Sequence, residues 1–360
     1  MPISRRHALS AVGLAALAAV TACGSDAGGP RTGVSASDLE GWIKGAGATS
    51  QADAQEAWMN AFMDANWDTS VEYAGGGSGA GRTKFLQGAV DFAGSDAAMS
   101  ADEVASAGSS GVVEVPLYIS PIALAYNLPG LDAQTHVNMT PEVIAKVFNR
   151  TITTWNDPQI TALNPELTLP ETGIITVHRS DDSGTTKSFT RFLSEAAPSQ
   201  WTYGAHDAWP HSGGQSGDGT TGVVSTIRAA EGAIGYADAS KVDEGMGTIA
   251  VGAPGSFVAC TAEAAAATLD ASALAEDATQ TRLVYEVDYR AAGSYPIILV
   301  SYVVARQVYD DAEIGGTVKA YLQLIASAEG QELAARAAGS APLSEELRTK
   351  VMAAIDTMRA

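Results

Sequence analysis

Short apolar runs alternate with stretches of helical periodicity from Val34 onward, the pattern of an α/β protein. Gly41–Gly47 (GWIKGAG) reads as a strand and turn, after which Ala54, Trp58, Ala61, Phe62 and Ala65 recur at helical spacing. Val71-Glu72-Tyr73 predicts a short strand running into the glycine-rich residues 75–81. A helix through Phe85 and Leu86 follows, then a strand over residues 90–93 that ends at Gly94-Ser95-Asp96. Farther on, Ile174-Ile175-Thr176-Val177 is β-rich, and Phe189, Phe192 and Leu193 fall on a helix beyond it. The alanine-rich residues 262–278 predict a core helix. Two segments read as crossings between lobes: Val112–Asn127, with Pro116 and Pro121 inside it, and residues 295–304 (YPIILVSYVV). Proline confines such runs to edge or connecting positions. Residues 120–294 would then form one lobe, and residues 37–119 with 295–360 the other.

The chemistry concentrates where strands hand over to helices. In His178-Arg179-Ser180-Asp181-Asp182-Ser183-Gly184-Thr185-Thr186-Lys187, a Ser-Gly-Thr falls at a helix start, where backbone N–H groups lack intrahelical partners. The helix dipole adds roughly half a positive charge there, and two hydroxyls and an arginine fork stand beside it. These are the parts of a pocket for a tetrahedral oxyanion; the alternative is a capped helix with a surface arginine. Ala46-Gly47-Ala48-Thr49-Ser50-Gln51 has the same design, with an N-cap as its plain alternative. Residues 76–83 (GGSGAGRT) approach the P-loop pattern but carry Arg82 in place of the lysine. Arginine does not replace that lysine in shape or hydration, so what survives is a glycine-lined approach to an anion. Asp96 is the discordant residue. A carboxylate beside an anion is tolerable where the anion carries a proton to donate, as phosphate does at neutral pH and sulfate does not. A site built for that hydrogen bond can discriminate by ~10⁴–10⁵. Otherwise Asp96 is a solvated turn aspartate.

The 360 residues hold 21 Lys+Arg against 41 Asp+Glu, a net charge of −20. Without residues 1–22, which contain Arg5 and Arg6, the balance is 19 against 41, or −22. Such a charge argues against nucleic acid or anionic membrane surfaces as partners. It also repels anions at long range, so an anion site must rely on short-range hydrogen bonds. The five histidines and two cysteines show no metal-ligand spacing, no G-x-S-x-G elbow is present, and neither metal nor cofactor is expected. An enzyme acting on phosphate esters would need a nucleophile–base pair or metal ligands, which the sequence does not supply clearly.

The N-terminus reads as an export signal. Ser4-Arg5-Arg6 precedes an apolar run over residues 8–20 that is too short to span a bilayer. Val20-Thr21-Ala22-Cys23 resembles a bacterial lipobox with Cys23 as the lipidated residue. The arginine pair resembles a twin-arginine signal, except that Ala8 replaces a bulky apolar residue. Residues 1–22 are thus a signal peptide and residues 23–36 a Gly/Ser/Asp-rich tether. With Cys23 acylated, Cys260 has no disulfide partner and reads as a buried, inert thiol.

Taken together, Gly45-Ala46-Gly47-Ala48-Thr49, Gly77-Ser78-Gly79-Ala80-Gly81, residues 90–96 (VDFAGSD), Trp155-Asn156-Asp157-Pro158, the proline-bearing residues 163–170, residues 179–185 and Gly232-Ala233-Ile234-Gly235-Tyr236 resemble the phosphate-binding proteins of the Pst ABC transporter. That resemblance implies a two-lobed α/β fold of the class II periplasmic-binding-protein type, two crossing strands as hinge, and a ligand in the interlobe cleft. It implies a monomeric, non-enzymatic protein that captures inorganic phosphate for a membrane permease and its ATPase subunits, lipid-anchored at the outer face of the bacterial cell membrane. By the same resemblance Thr49 supplies a hydroxyl and Ser50 a backbone N–H. Ser78 supplies both, Asp96 accepts the phosphate proton, and Arg179, held by Asp181, pairs with phosphate oxygens. Ser183, Gly184 and Thr185 supply N–H groups and hydroxyls. This chain departs from the pattern at Ser50, where the best-known members have phenylalanine, and at Asp182, an added carboxylate expected to point to water. Arsenate carries the same proton as phosphate, and these residues do not separate the two.

Overall fold

A β-α-β-α-β run opens the computed structural model, which describes residues 39–131 and 135–359; the signal segment, Cys23 and the tether lie outside the described residues. The strand Gly41–Gly47 is flanked by Thr69–Ala74 and Phe92–Ser95, both parallel to it. Parallel neighbours need crossovers, here the helices Ala52–Ala65 and Ser78–Leu86. The first buries Ala54, Trp58 and Phe62 at their predicted spacing, and the Trp58 indole donates to Gly330 O at 2.7 Å, tying it to the helix Ala328–Ala338.

Next to this parallel set come Ile298–Arg306 and then Val112–Asn127, both antiparallel to their neighbours. Val112–Asn127 is buried along all but its last residue and changes partner midway. Residues 112–121 pair with Ile298–Arg306, and residues 122–127 pair with Ala233–Asp238. A second parallel set follows, Ala233–Asp238, Ile175–Arg179 and Gln215–Gly217. The two prolines do not push this strand to an edge. Pro116 stands opposite Tyr302 where the register shifts, and Pro121 closes the pairing with Ile298 just before the strand changes partner. A bulge and a switch point are places where a missing N–H breaks no ladder bond.

The alanine-rich segment is a shorter helix than its composition predicts. It runs only over Ala262–Asp270, and Ala273–Leu274 then pairs antiparallel with Tyr285–Glu286. The Ser272 hydroxyl accepts from the Asp288 N–H at 2.9 Å, and Ala275 N donates to Val284 O at 2.9 Å. Cross-strand bonds outweigh alanine's modest helical preference. Cys260 is half-buried and free, and burial pushes its thiol up to about 12, so it stays protonated. Among the described residues no helix is long and apolar enough to cross a membrane, and no group of three or more His, Cys, Asp or Glu could hold a metal ion.

Candidate functional site

Four strands, in two parallel pairs that run opposite to each other, end at helix starts that converge. Gly41–Gly47 leads through the turn Thr49–Gln51 into Ala52–Ala65, and Thr69–Ala74 into Ser78–Leu86. Ile175–Arg179 leads into Gly184–Ala196, and Gln215–Gly217 into Gly219–Ala229. In open α/β sheets, ligands sit outside the carboxyl ends of the strands. Here those ends are in contact: the Thr49 and Thr220 hydroxyls lie 3.0 Å apart, and Thr185 Oγ1 donates to Asp96 Oδ2 at 3.0 Å. The Asp96 N–H donates to Ser78 Oγ at 3.1 Å. The approach is close enough to require glycine twice. A Cβ on Gly184 would sit 2.6 Å from Asp96 Cβ and 2.8 Å from Ser78 Oγ. Gly77, at φ 91°, would carry its Cβ 2.6 Å from Asp182 O.

Asp96 lies at the centre, 4% exposed. Ser50 Oγ and Ser301 Oγ donate to its Oδ1 at 2.7 and 2.6 Å. Burial raises its carboxyl above the ordinary value, against the pull of these hydroxyls, of Thr185 and of the Arg179 charge. Arg179 is also buried, 3% exposed. Its Nε donates to Asp181 Oδ1 at 2.7 Å and its Nη2 to Asp181 Oδ2, while the Gly219 N–H adds a bond to Asp181 Oδ1 at 3.1 Å. Burial works against the Asp181 charge, but Arg179 outweighs it and holds that carboxyl below its usual range. Beneath this turn, Tyr236 accepts the Arg179 N–H at 3.2 Å and bonds the Thr186 hydroxyl at 2.8 Å, and its ring stacks on Phe189 at 4.7 Å. The guanidinium is thus held by Asp181 and the Arg179 backbone by Tyr236.

Of the residues singled out in the sequence, Thr49, Ser50, Ser78, Asp96, Asp181, Gly184 and Thr185 are joined by these contacts, and Arg179 joins through Asp181. Two carry duties the sequence did not suggest. The Ser50 hydroxyl is given to Asp96, and the Ser183 N–H is taken by Asp207 O at 3.0 Å while its Oγ caps Thr186 N at 3.3 Å. Asp182 is exposed to water. The near P-loop is resolved by Arg82, whose guanidinium is bound to Glu103 at 2.9 Å, Ser95 at 2.8 Å and Asp207 at 3.2 Å. His178 stacks on Trp209, and His206 Nε2 lies 2.7 Å from Tyr203 O. Sequence reasoning missed Ser301 and the Gly219-Thr220 turn. Gly217-Asp218-Gly219-Thr220-Thr221 repeats the small, hydroxyl-rich chemistry of residues 183–186, a signal that was present; Ser301 is a hydroxyl inside an apolar run, which does not by itself point to Asp96.

Comparison with known proteins places the chain in a family. Residues 22–329 match a family model described as a PBP superfamily domain. The chain is 32% identical to "Phosphate-binding protein PstS 3" of Mycobacterium tuberculosis (strain ATCC 25618 / H37Rv), over 97% of this chain and 98% of the relative. It is 34% identical to the protein of that name from Mycobacterium leprae, over 87% and 89%. Among solved structures, a phosphate-binding protein from Stenotrophomonas maltophilia superposes with TM-score 0.68 at 22% identity, covering 86% of this chain and 93% of that one. The phosphate-bound periplasmic protein PfluDING gives TM-score 0.68 at 22% identity, over 88% and 93%. The chain belongs to the PBP superfamily and, within it, to the phosphate-binding proteins of the PstS type.

Proposed function

We propose that this chain captures inorganic phosphate between two lobes, residues 37–119 with 295–360 and residues 120–294, and delivers it to the permease and ATPase subunits of an ABC importer. The observation that carries this reading is the meeting of three helix starts on a buried Asp96 that three hydroxyls hold as an acceptor, with a fourth helix start joined through Thr49 and Asp181 and a buried guanidinium alongside. The anion is met by helix dipoles, by the N–H groups of Ser50, Ser78, Gly184 and Thr185, by the Thr49 and Ser183 hydroxyls, and by Arg179. Asp96 accepts the ligand's proton. The relatives' names and the phosphate-bound neighbour support phosphate as the anion. The protein performs no chemistry; binding favours a closed arrangement that the permease recognises. It works as a monomer outside the cytoplasm, held at the outer membrane face by lipid on Cys23. Calorimetry on one sample with phosphate, arsenate and sulfate tests this: micromolar or tighter phosphate binding with no sulfate response is expected, and equal responses would remove the acceptor role of Asp96. A Cys23→Ser chain should leave the membrane fraction; retention there would remove the lipid anchor.

A further inference from the structure

Behind Asp96 runs a buried line of hydrogen bonds with a single direction. The Tyr321 hydroxyl donates to Gln55 Oε1 at 2.8 Å, Gln55 Nε2 to Gln51 Oε1 at 2.9 Å, and Gln51 Nε2 to Ser301 Oγ at 2.6 Å. Ser301 Oγ then donates to Asp96 Oδ1 at 2.6 Å. Gln51 Nε2 also donates to Tyr302 O at 3.1 Å, and a carbonyl only accepts, so the amide is oriented with its nitrogen toward the strand Ile298–Arg306. Ser301 receives a hydrogen from Gln51, and its own single hydrogen is left for Asp96. Tyr321, Gln55, Gln51, Ser301 and Ser50 are each 0% exposed, so water does not interrupt the line. An ionised carboxylate offers about four acceptor positions. Ser50 and Ser301 fill both on Oδ1, and Thr185 fills one on Oδ2.

We propose that Ser301, oriented by the line Tyr321–Gln55–Gln51, acts together with Ser50 as a specificity-determining pair: they saturate Oδ1 of Asp96 and leave one acceptor position, on Oδ2, for a ligand O–H. This rests on the phosphate reading above and deepens it. An acceptor with one open position rewards an anion that still carries a proton and repels one that does not. Both serines are positioning residues acting through Asp96. Removing either hydroxyl withdraws a bond that favours the charged carboxylate, so Asp96 takes up a proton at a higher pH and turns from acceptor to donor. A donor there accommodates sulfate. The other charged or titratable groups around Asp96 are Arg179 on the ligand side, Tyr73 on Thr69–Ala74, and Lys187, Arg191, Asp277, Glu286, Tyr285, Tyr289 and Tyr302 around the adjoining cavity of about 320 Å³. The serine substitutions leave all of them in place.

The test is sulfate and phosphate binding between pH 5 and 8 by calorimetry on the wild-type chain, Ser301→Ala, Ser50→Ala and Ser301→Thr. Sulfate does not titrate in this range, so its profile reports the protein alone. Expected for each alanine variant is an acid-side onset of sulfate binding about one pH unit higher than in wild type, with the phosphate-to-sulfate ratio at pH 7 reduced by roughly tenfold. Ser301→Thr, which keeps the hydroxyl, should restore both. Should Ser301→Ala fail to fold, Ser50→Ala carries the same expectation. Wild-type profiles in folded alanine variants would overturn this proposal alone. A wild-type chain that ignores phosphate would overturn the underlying reading and this one with it.

Discussion

Arg179 reaches its place with its orientation already set, because Asp181 binds two of its nitrogens and Tyr236 holds its backbone N–H. Little side-chain freedom is then left to lose on binding. Arg179→Ala is expected to weaken phosphate binding by about 2–5 kcal/mol, since it removes a buried cation and strands the Asp181 charge. Arg179→Lys should recover only part of this, because an ammonium cannot span both Asp181 oxygens and an anion; calorimetry on the two variants checks both statements. Asp238 is a second buried carboxylate, bonded by the Ser240 N–H at 2.9 Å and the Tyr118 hydroxyl at 3.1 Å. Burial pushes it up to about 6 from 3.8. Between those values the folded chain keeps a proton on Asp238 that the unfolded chain has released, so the Asp238 contribution to stability falls as pH rises from about 4 to about 6 and is level above. Asp238→Asn, uncharged throughout, should raise stability at pH 7.5 by about 1–3 kcal/mol and remove that fall. Thermal unfolding at pH 4.5 and 7.5 decides it, and an unchanged difference between the two would sink the assignment. Arg179 stood out in the sequence as an arginine beside a Ser-Gly-Thr helix start, and Asp96 as a carboxylate among turns suited to an anion, with a solvated turn as its alternative. Ser301 reaches Asp96 through a register between strands that lie 205 residues apart along the chain, and no local pattern encodes a register.

At the scale of elements, the site consists of helix starts, and their positions depend on how tightly the turns pack. Gly184 begins the helix Gly184–Ala196 against Asp96 and Ser78. Gly184→Ala puts a methyl group into backbone and a short side chain, neither of which can swing away. The expected result is a helix start displaced from Asp96, with the Thr185 bond lost and phosphate binding weaker by about 1.5–3 kcal/mol for each charged hydrogen bond broken. Unfolding temperature should change far less, because the helix's core face, Phe189, Phe192 and Leu193, is untouched. Calorimetry paired with thermal melts separates the two, and unchanged binding would show that the turn can relax. The helices and strands of the first half were readable because their apolar spacing is strict, Trp58 and Phe62 among them. The helix Ala262–Asp270 was readable but its end was not, since alanine suits a helix anywhere and only the pairing of Ala273–Leu274 with Tyr285–Glu286 ends it. Val112–Asn127 was read only in part: its prolines signal an edge or a connecting position, the strand is a connecting one, and the bulge and partner switch that accommodate the prolines exist only in the assembled sheet.

The whole molecule sets a negative field against a site for anions. The net charge is −20, while the cations near the cleft are largely neutralised: Arg82 by Glu103 and Asp207, Lys187 by Asp207, Lys241 by Asp53 and Arg179 by Asp181. Little positive potential is then left to draw a phosphate in from a distance, and attraction begins only at hydrogen-bond range. The charge sum thus opposes at long range what the site does at short range. This opposition has a kinetic consequence. At ionic strength near 0.01 M the screening length is about 30 Å, so an approaching phosphate meets the repulsion of most of the molecule; at 0.15 M it is about 8 Å, and the repulsion is confined to nearby groups. The association rate constant for phosphate should therefore rise as salt is added, opposite to the usual behaviour of an electrostatically steered ligand. Chloride is the suitable counterion, since a phosphate buffer would itself occupy the site. Stopped-flow intrinsic fluorescence at 0.01 and 0.15 M chloride measures it directly. A rate constant that falls over that range would mean that a local positive field at the cleft mouth outweighs the charge of the chain. The dissociation rate should respond in the same direction, because the ion pairs Arg82–Asp207 and Lys241–Asp53 join residues on opposite sides of the site and weaken as salt screens them. Affinity therefore changes less with salt than either rate does, and the two rates measured separately carry the information.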